Sequence, residues 1–579
     1  MKELKDYGTI HETQILIIGG ACSGLTAALT AKEADSNVDV LITDMACASK
    51  GWAGKAARTA GLISFVGEGK DPEEFVQYNL KEIGFYLNDQ HLLRDLAYNS
   101  RKIVEHLETW GVSIEREEDG SFAVAQWPFP WVTGGIDPDM CKHMATKARE
   151  YGVRFRDRTE IVSLLKDGER VIGACGFDIK DGSFHIFLAD VTILACGTQN
   201  FDITPIWCGT GVSQSLAYEA GAEFRNCEFC GMGDFARIDE KGRLFYGMHG
   251  GAHIGHDHIY YEDENVSQKW RPGFHSSMDP LAANAWYQEY KQGHWPLKIN
   301  MDTFNAQGGG GEFFHFHPEA FKRYMRHHAI GGYPFDHQVF DVVPGVISEL
   351  GAIRVGHGME TTVPGLLAIG DCAGSGSARA GAVPAPPAKI HGTGLLNAVF
   401  MGTKGGESAV ALVHTISKLG LSKNVDLEKL DQIKEETYAP INREEGISPR
   451  DIIHEIQEAI APCDYLFVKS EERMDEALAI VADAESKLDQ MKVDNYHDLV
   501  KCIEAKAMAL GGELFYRTSK LRKESRGFHQ REDYKEQNDS DWLKWIIVQN
   551  KDGEMTFRTE DVPIDQYDYK PGQDGKQTV

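Results

Sequence analysis

The sequence predicts an α/β fold: a parallel sheet interrupted by an inserted domain, then a C-terminal helical domain and an extended tail. Three observations predict it. A strand, a glycine turn, a helix and a second strand ending in an acid follow one another over residues 13–44. A second apolar strand ending in a Gly-Asp pair stands near residue 370. Between about 229 and 340 the texture turns to Gly, His and aromatic residues, which breaks the sheet-forming pattern.

The elements follow in order. "TQILII" (13–18) is a short apolar run of strand type, and residues 22–34 suit a helix packed on a sheet. Between them Gly19 and Gly24 hold the first and third places of a G-x-G-x-x-G turn, with Ala21 in the second. The first glycine permits the bend, the second lets backbone approach a diphosphate, and the third lets helix and strand pack closely. Alanine adds one methyl, and the helix N-terminus still offers free N–H donors. "VDVLITD" is the second strand, and its terminal Asp44 lies 25 positions after Gly19, where a ribose-binding acid is expected. The unit is therefore Rossmann-like. Residues 72–110 read as helical, and another helix is expected over 137–151, capped by Asp137. "ADVTILACG" (189–197) is a further buried strand, and residues 391–413 read as the helix after "TTVPGLLAIGDCAG" (361–374). From 426 to 523 the pattern is helical, and the end is polar, aromatic and extended. The expected domains are a nucleotide-binding domain in two parts (1–228 and 341–425), an insert (229–340) and a C-terminal part (426–579).

Composition narrows the function. The formal net charge is −27, from 60 Lys+Arg against 87 Asp+Glu, which repels nucleic acid and anionic lipid. No apolar run has the roughly 18–20 residues of a membrane span, and the polar start lacks a secretory layout, so cytoplasm is the expected location. Eleven scattered cysteines in a chain of this length do not suggest a disulfide framework. Only Cys227 and Cys230 ("CEFC") stand close, without the spacing of a zinc or iron–sulfur site, and a structural pair is the expectation.

The stretch "TTVPGLLAIGDCAG" resembles the distal flavin signature of flavoproteins with two dinucleotide-binding motifs, in which such a Gly-Asp, here Gly370 and Asp371, reaches the ribityl chain of FAD. The tail "LRKESRGFHQREDYKEQNDSDWLKWIIV" (521–548) resembles that of fumarate reductase and succinate dehydrogenase flavoprotein subunits. L-Aspartate oxidase and the adenylylsulfate reductase alpha subunit belong to the same superfamily. The resemblance spans nearly the whole chain. It implies FAD as cofactor, an inserted domain that caps the flavin, and an oxidoreductase.

Departures refine this expectation. Fumarate and succinate enzymes carry a histidine bonded to FAD; here the corresponding stretch "ASKGWAGKAARTAGLISF" has none, with Trp52 near its place, so FAD is expected to be non-covalent. The dicarboxylate-binding segments correspond to "FCGMGDFARID", "ISELGAIRV" with Ile347 in place of a histidine, and "AKIHGTGLL" with Lys389 in place of an arginine. A plain fumarate reductase is rejected. The texture "CEFCGMGDFARIDEKG" stands nearer to adenylylsulfate reductase.

The implied cofactor-binding set is Gly19, Gly20, Ala21, Cys22, Ser23, Gly24, Asp44, Met45, Lys50, Gly51, Ala195, Gly197, Gly370, Asp371, Leu395 and Leu396. Candidate catalytic groups are cations or proton donors near the flavin: Lys389 and His391 after the distal strand, and Arg237, Arg271, His253, His256 and His258 in the insert. The glycine-spaced histidines of "HGGAHIGHDH" lack regular ligand geometry, and no metal is expected. Trp127 and Trp131 either shape a flat pocket or belong to the core. Three functions stay open: hydride transfer between FAD and a small substrate, electron exchange with an iron–sulfur partner chain, and a non-catalytic flavin-holding role.

Overall fold

The computed structural model describes residues 3–54, 56–59, 61–126, 130–203, 209–229, 231–238, 244–247, 259–266, 269, 288–289, 291–300, 339–348, 350–373, 393–466 and 468–572. Its centre is a five-stranded, all-parallel sheet. In chain order the elements are β1 (Ile15–Ile18), helix α1 (Cys22–Ala34), β2 (Val40–Asp44), β3 (Arg154–Asp157), β4 (Val191–Leu194), β5 (Leu366–Ala368) and helix α2 (Thr393–Leu419). Across the sheet the order is β5, β4, β1, β2, β3. β1 and β4 are buried at every position, as strands covered on both faces must be. Because all five strands run the same way, their carboxyl ends form one edge. Gly19, Asp44, Asp157, Ala195 and Gly370 all stand on it.

Helix α1 matches the expected 22–34, and residues 22–31 are all buried. It lies against α2, where glycines set the approach. A Cβ on Gly402 would come 2.6 Å from Thr26 Cβ, and one on Gly406 would come 2.6 Å from the Ala27 carbonyl. Later residues of α2 meet later residues of α1, so the two helices run parallel.

An antiparallel sheet of Thr159–Asp167, Arg170–Asp178 and Phe184–Leu188, edged by the parallel strand Thr9–Glu12, follows β3. The helical stretch expected over 72–110 is broken. Helix Pro72–Tyr78 continues as a π-helical stretch, Asn79–Ile83, and is separated from helix Gln90–Leu107 by a turn in which Phe85 and Tyr86 adopt positive φ. The helix expected from Asp137 starts at Met140; Asp137 instead accepts the Asp139 N–H at 2.7 Å, one turn early, so the expected cap is corrected.

The insert builds its own antiparallel sheet, in which Gly231–Ile238 pairs with Val339–Ser348. That last strand carries the sheet across position 340. Helices Leu427–Asn442, Pro449–Ile460, Glu471–Glu485 and α3 (Tyr496–Leu521) follow, capped by the side chains of Asp426, Ser448, Ser470 and Asn495. The extended tail is a hairpin of Lys544–Lys551 and Glu554–Asp561 added to Glu223–Arg225. Among the described residues no helix is long and apolar enough to cross a membrane.

Candidate functional site at the carboxyl edge of the parallel sheet

The glycine turn is built by close approach. Gly19 has φ +105°, and a Cβ there would meet the Ala195 carbonyl oxygen at 2.5 Å. A Cβ on Gly24 would fall 1.9 Å from the Gly19 carbonyl oxygen. These are the bend and the helix–strand contact expected of the two positions. Ala21 occupies the N-cap position of α1 in an extended conformation, and no side chain caps this end of the helix. Its first-turn N–H groups and the positive end of its dipole are presented at the sheet edge. The loop after β2 closes over the turn: a Cβ on Gly54 would meet Ala21 Cβ at 2.6 Å.

Asp44 binds backbone on both sides. Its Oδ2 accepts the Gly20 N–H and its Oδ1 the Ala46 N–H, each at 2.7 Å. Burial raises its pKa, against the lowering effect of those two hydrogen bonds, and the neighbouring Asp157 adds to the rise. Each carboxylate oxygen keeps a second lone pair for a ribose hydroxyl.

The distal motif meets the turn. Gly370, φ +66°, ends the strand segment after β5, and a Cβ there would lie 2.6 Å from Ser23 Oγ in the first turn of α1. Two stretches some 350 positions apart thus share one point in space. Gly197 (φ +82°) has nothing within 4 Å of its would-be Cβ. The amino end of α2 overhangs that of α1 by roughly 10 Å at 1.5 Å per residue. That puts half-buried Leu395 and buried Leu396 beyond the turn, on the edge side. Met45 and Trp52 (69% exposed) add apolar surface beside it.

Lys50 is exposed, and Gly51 turns away from α1. A Cβ on Gly51 would strike Lys142 Cα at 2.5 Å, so its left-handed conformation seats the loop on helix Met140–Glu150. Ser49 fastens the same loop, its N–H reaching Asp157 Oδ1 at 3.0 Å and its hydroxyl Asp157 Oδ2. Among the catalytic candidates, Lys389, His391, Arg271, His253, His256 and His258 lie outside the described residues. Arg237 is placed by its backbone on Gly231–Ile238, opposite Val342. Ile347 stands opposite Met232 in the same ladder. Trp131 is core, edge-on to Phe75 and Tyr78, while Trp127 and Cys230 are outside the described residues.

Sequence reasoning passed over three residues of this edge: Gly54, Asp157 and Glu160. Gly54 and Asp157 carried the same signals as Gly51 and Asp44, a glycine in the loop and an acid closing a strand. Glu160 is a lone acid in the strand "TEIVSLL".

The charged run 522–533 is interior. Arg522 and Glu524 are fully buried. Arg522 Nε donates to Glu228 Oε1 at 2.7 Å, its other nitrogens to Glu524 and to the Trp542 and Lys544 carbonyls. Arg526 spans Glu524, Asp539 and the Phe85 carbonyl, which accounts for the break in the 72–110 helix. Glu228 stands three residues before the insert's first strand, Gly231–Ile238. On the return side, the Arg225 N–H donates to the Ala352 carbonyl and Arg354 bridges Glu223 and Glu560. The tail therefore holds both crossings into the insert.

These residues fit a flavin dinucleotide: an uncapped helix end for a diphosphate, an acid for a ribose, a second glycine motif at the same point, and apolar surface beside them. Comparison with known proteins agrees. Residues 14–232 match the family model described as FAD binding domain, and residues 459–575 match the fumarate reductase flavoprotein C-term. An uncharacterized FAD-dependent oxidoreductase of Methanocaldococcus jannaschii is 26% identical, over 96% of this chain and 99% of its own length. One chain of the fumarate reductase (CoM/CoB) of Methanothermobacter marburgensis is 24% identical, over 94% and 98%. Adenylylsulfate reductase from Archaeoglobus fulgidus shares the fold, with a TM-score of 0.76 at 20% identity over 96% of this chain and 97% of its own. From its glycine edge to its charged tail, the chain belongs to the fumarate reductase and succinate dehydrogenase flavoprotein superfamily and is an FAD-dependent oxidoreductase.

Proposed function

We propose that this oxidoreductase holds FAD without a covalent link along the carboxyl edge of its parallel sheet and exchanges a hydride with a small substrate. The observation that carries the site is the meeting of Gly370 with Ser23, which joins both dinucleotide motifs at the amino end of α1. Bound FAD supplies the capacity to accept or give a hydride. In this reading the amino end of α1 holds the diphosphate, Asp44 the ribose, and Gly370 and Asp371 the ribityl chain. Leu395, Leu396, Met45 and Trp52 exclude water around them. The segment 229–340, with Arg237, caps the site between the two parts of the nucleotide-binding domain (1–228 and 341–425), and residues 426–579 brace it. Lys389 and His391, which follow the distal motif, would fix an anionic substrate or deliver its proton. The non-covalent assignment rests on the absence of any histidine between Met45 and Phe65.

A second reading, exchange of electrons with an iron–sulfur partner chain, is favoured by relatives named as subunits and by the lack of iron–sulfur cysteine spacing in this chain.

The test is purification followed by acid precipitation. All the flavin is expected in the supernatant as FAD; flavin remaining with the precipitate would overturn the non-covalent assignment. Dithionite-reduced protein is then mixed anaerobically with small unsaturated or oxidised anions while the flavin bands are followed. Reoxidation by one of these, without a partner chain, supports direct hydride transfer. Reoxidation only by a ferredoxin-like protein supports the second reading.

A further inference from the structure

We propose that Glu160 reads the adenine of FAD, pairing its carboxyl with the base's N1 and exocyclic amine. The inference rests on the site assignment just made, in which Asp44 holds the adenosine ribose. Glu160 follows β3 by three residues. Asp157 at the end of β3 pairs with Asp44, Arg158 turns the chain at φ +58°, and Glu160 then enters the antiparallel sheet opposite Phe177. It is 4% exposed, and among the described residues its carboxyl has neither a hydrogen-bond donor nor a counter-ion. A buried polar group without a partner is costly, and such groups in native proteins generally mark a ligand or a function.

The register of β3 beside β2 and the charges that act on this carboxyl put it near Asp44. Burial raises it well above the ordinary carboxylate range, and the carboxylates of Glu504, on α3, and Asp44 raise it further. Cys196, just past β4, is exposed at the same edge, and both Asp44 and Glu160 act on its thiol. Asp44, Glu160 and Cys196 thus converge from the ends of three strands. The part of a dinucleotide that lies beyond the ribose is the base. Adenine presents a donor, its exocyclic amine, beside an acceptor, N1. A neutral carboxyl presents an acceptor, C=O, beside a donor, O–H. The two edges match in order when the acid is protonated, the form that burial favours.

The test is FAD titration of apo-protein by flavin fluorescence, with melting of the apo-protein followed in parallel. Glu160→Gln offers the same acceptor and donor and should bind FAD within about threefold of wild type. Glu160→Leu should weaken binding at least tenfold, while the apo-protein melts no lower, since an unpartnered buried acid has been replaced by an apolar side chain. Wild-type protein should bind flavin purine dinucleotide, whose base lacks the exocyclic amine, about tenfold more weakly than FAD, the worth of about one hydrogen bond; this arm needs no variant to fold. Glu160→Leu binding FAD within twofold of wild type, Glu160→Gln falling as far as Glu160→Leu, or equal binding of the purine analogue would each overturn the proposal. Gly24→Val separates the two levels. If it abolishes binding while Glu160→Leu does not, the site stands and the adenine contact fails. If it leaves binding intact, the site assignment fails as well.

Discussion

The carboxyl edge of the parallel sheet and the interior of the tail are both closely determined, by opposite means. At the edge, side chains have been removed: Gly19, Gly24 and Gly370 let backbone approach backbone or helix so closely that a single Cβ would collide. In the tail, charges have been brought inside: Arg522, Glu524, Arg526 and Glu228 form a network with no exposure. The first arrangement tolerates no added volume. The second tolerates no lost partner. One serves a ligand, the other holds the crossings of the inserted segment against the body of the protein.

The largest expected effect tests the edge. Gly24→Val places a branched side chain where even a Cβ would be 1.9 Å from the Gly19 carbonyl oxygen. The helix must move, and FAD affinity should fall by at least about a hundredfold, since several hydrogen bonds to the ligand are lost together. A variant that purifies yellow with normal affinity breaks the claim that this turn is the binding turn. Next comes the tail. Arg522→Ala leaves Glu228 without its cation in the interior, removes one of Glu524's four hydrogen bonds, and should cost about 3–5 kcal/mol in denaturant unfolding. The double variant Arg522→Met/Glu228→Leu should recover much of that loss, because the stranded charge is gone as well. Strictly additive losses would show that the two residues are not coupled.

A smaller effect returns to the edge. Asp44→Asn keeps one acceptor oxygen and turns the other into a donor facing an N–H, so FAD should bind about tenfold more weakly, the worth of about one hydrogen bond. Unchanged affinity would remove Asp44 from the site.

The smallest effect asks whether the antiparallel sheet, like the tail, holds its polar groups by burial. His185 is lowered from its ordinary value to about 4 by burial first, then by Arg156 and His11. Arg156 donates to its Nε2 at 2.7 Å, so the ring is neutral there and its Nδ1–H donates to His11 Nε2 at 3.0 Å. The unfolded chain takes up this proton near 6.5 and the folded chain only near 4. This contribution to stability is therefore complete above pH 6.5 and is lost as pH falls from 6.5 towards 4. In melting curves across that range, His185→Gln should lose less than wild type; parallel curves would contradict the assignment.

Much of the edge was legible because its demands are local. The bend at Gly19, the contact at Gly24 and the acid at Asp44 sit in one strand–turn–helix–strand unit, and α1 occupies the residues expected of it. The caps Asp426, Ser448, Ser470 and Asn495 obey the same local rule. The failures are tertiary. Phe85 and Tyr86 interrupt an otherwise helical pattern because Arg526 and Trp545 bind the carbonyls of Phe85 and Leu87 from across the molecule. Asp137 looks like a cap, yet the chain spends one more turn before the helix begins.

Local pattern alone determined the strands, most of the helices and the glycine turn, since hydrophobic period and backbone sterics act over a few residues. The resemblance carried by the two motifs and the tail pointed to the cofactor. Tertiary structure decided what depends on distant groups meeting: that Gly370 reaches Ser23, that the charged tail is interior rather than solvated, and that Glu160 is buried near Asp44. A glycine's torsion can be read along the chain. Whether a charge is buried, and against what, is set by whatever else folds around it.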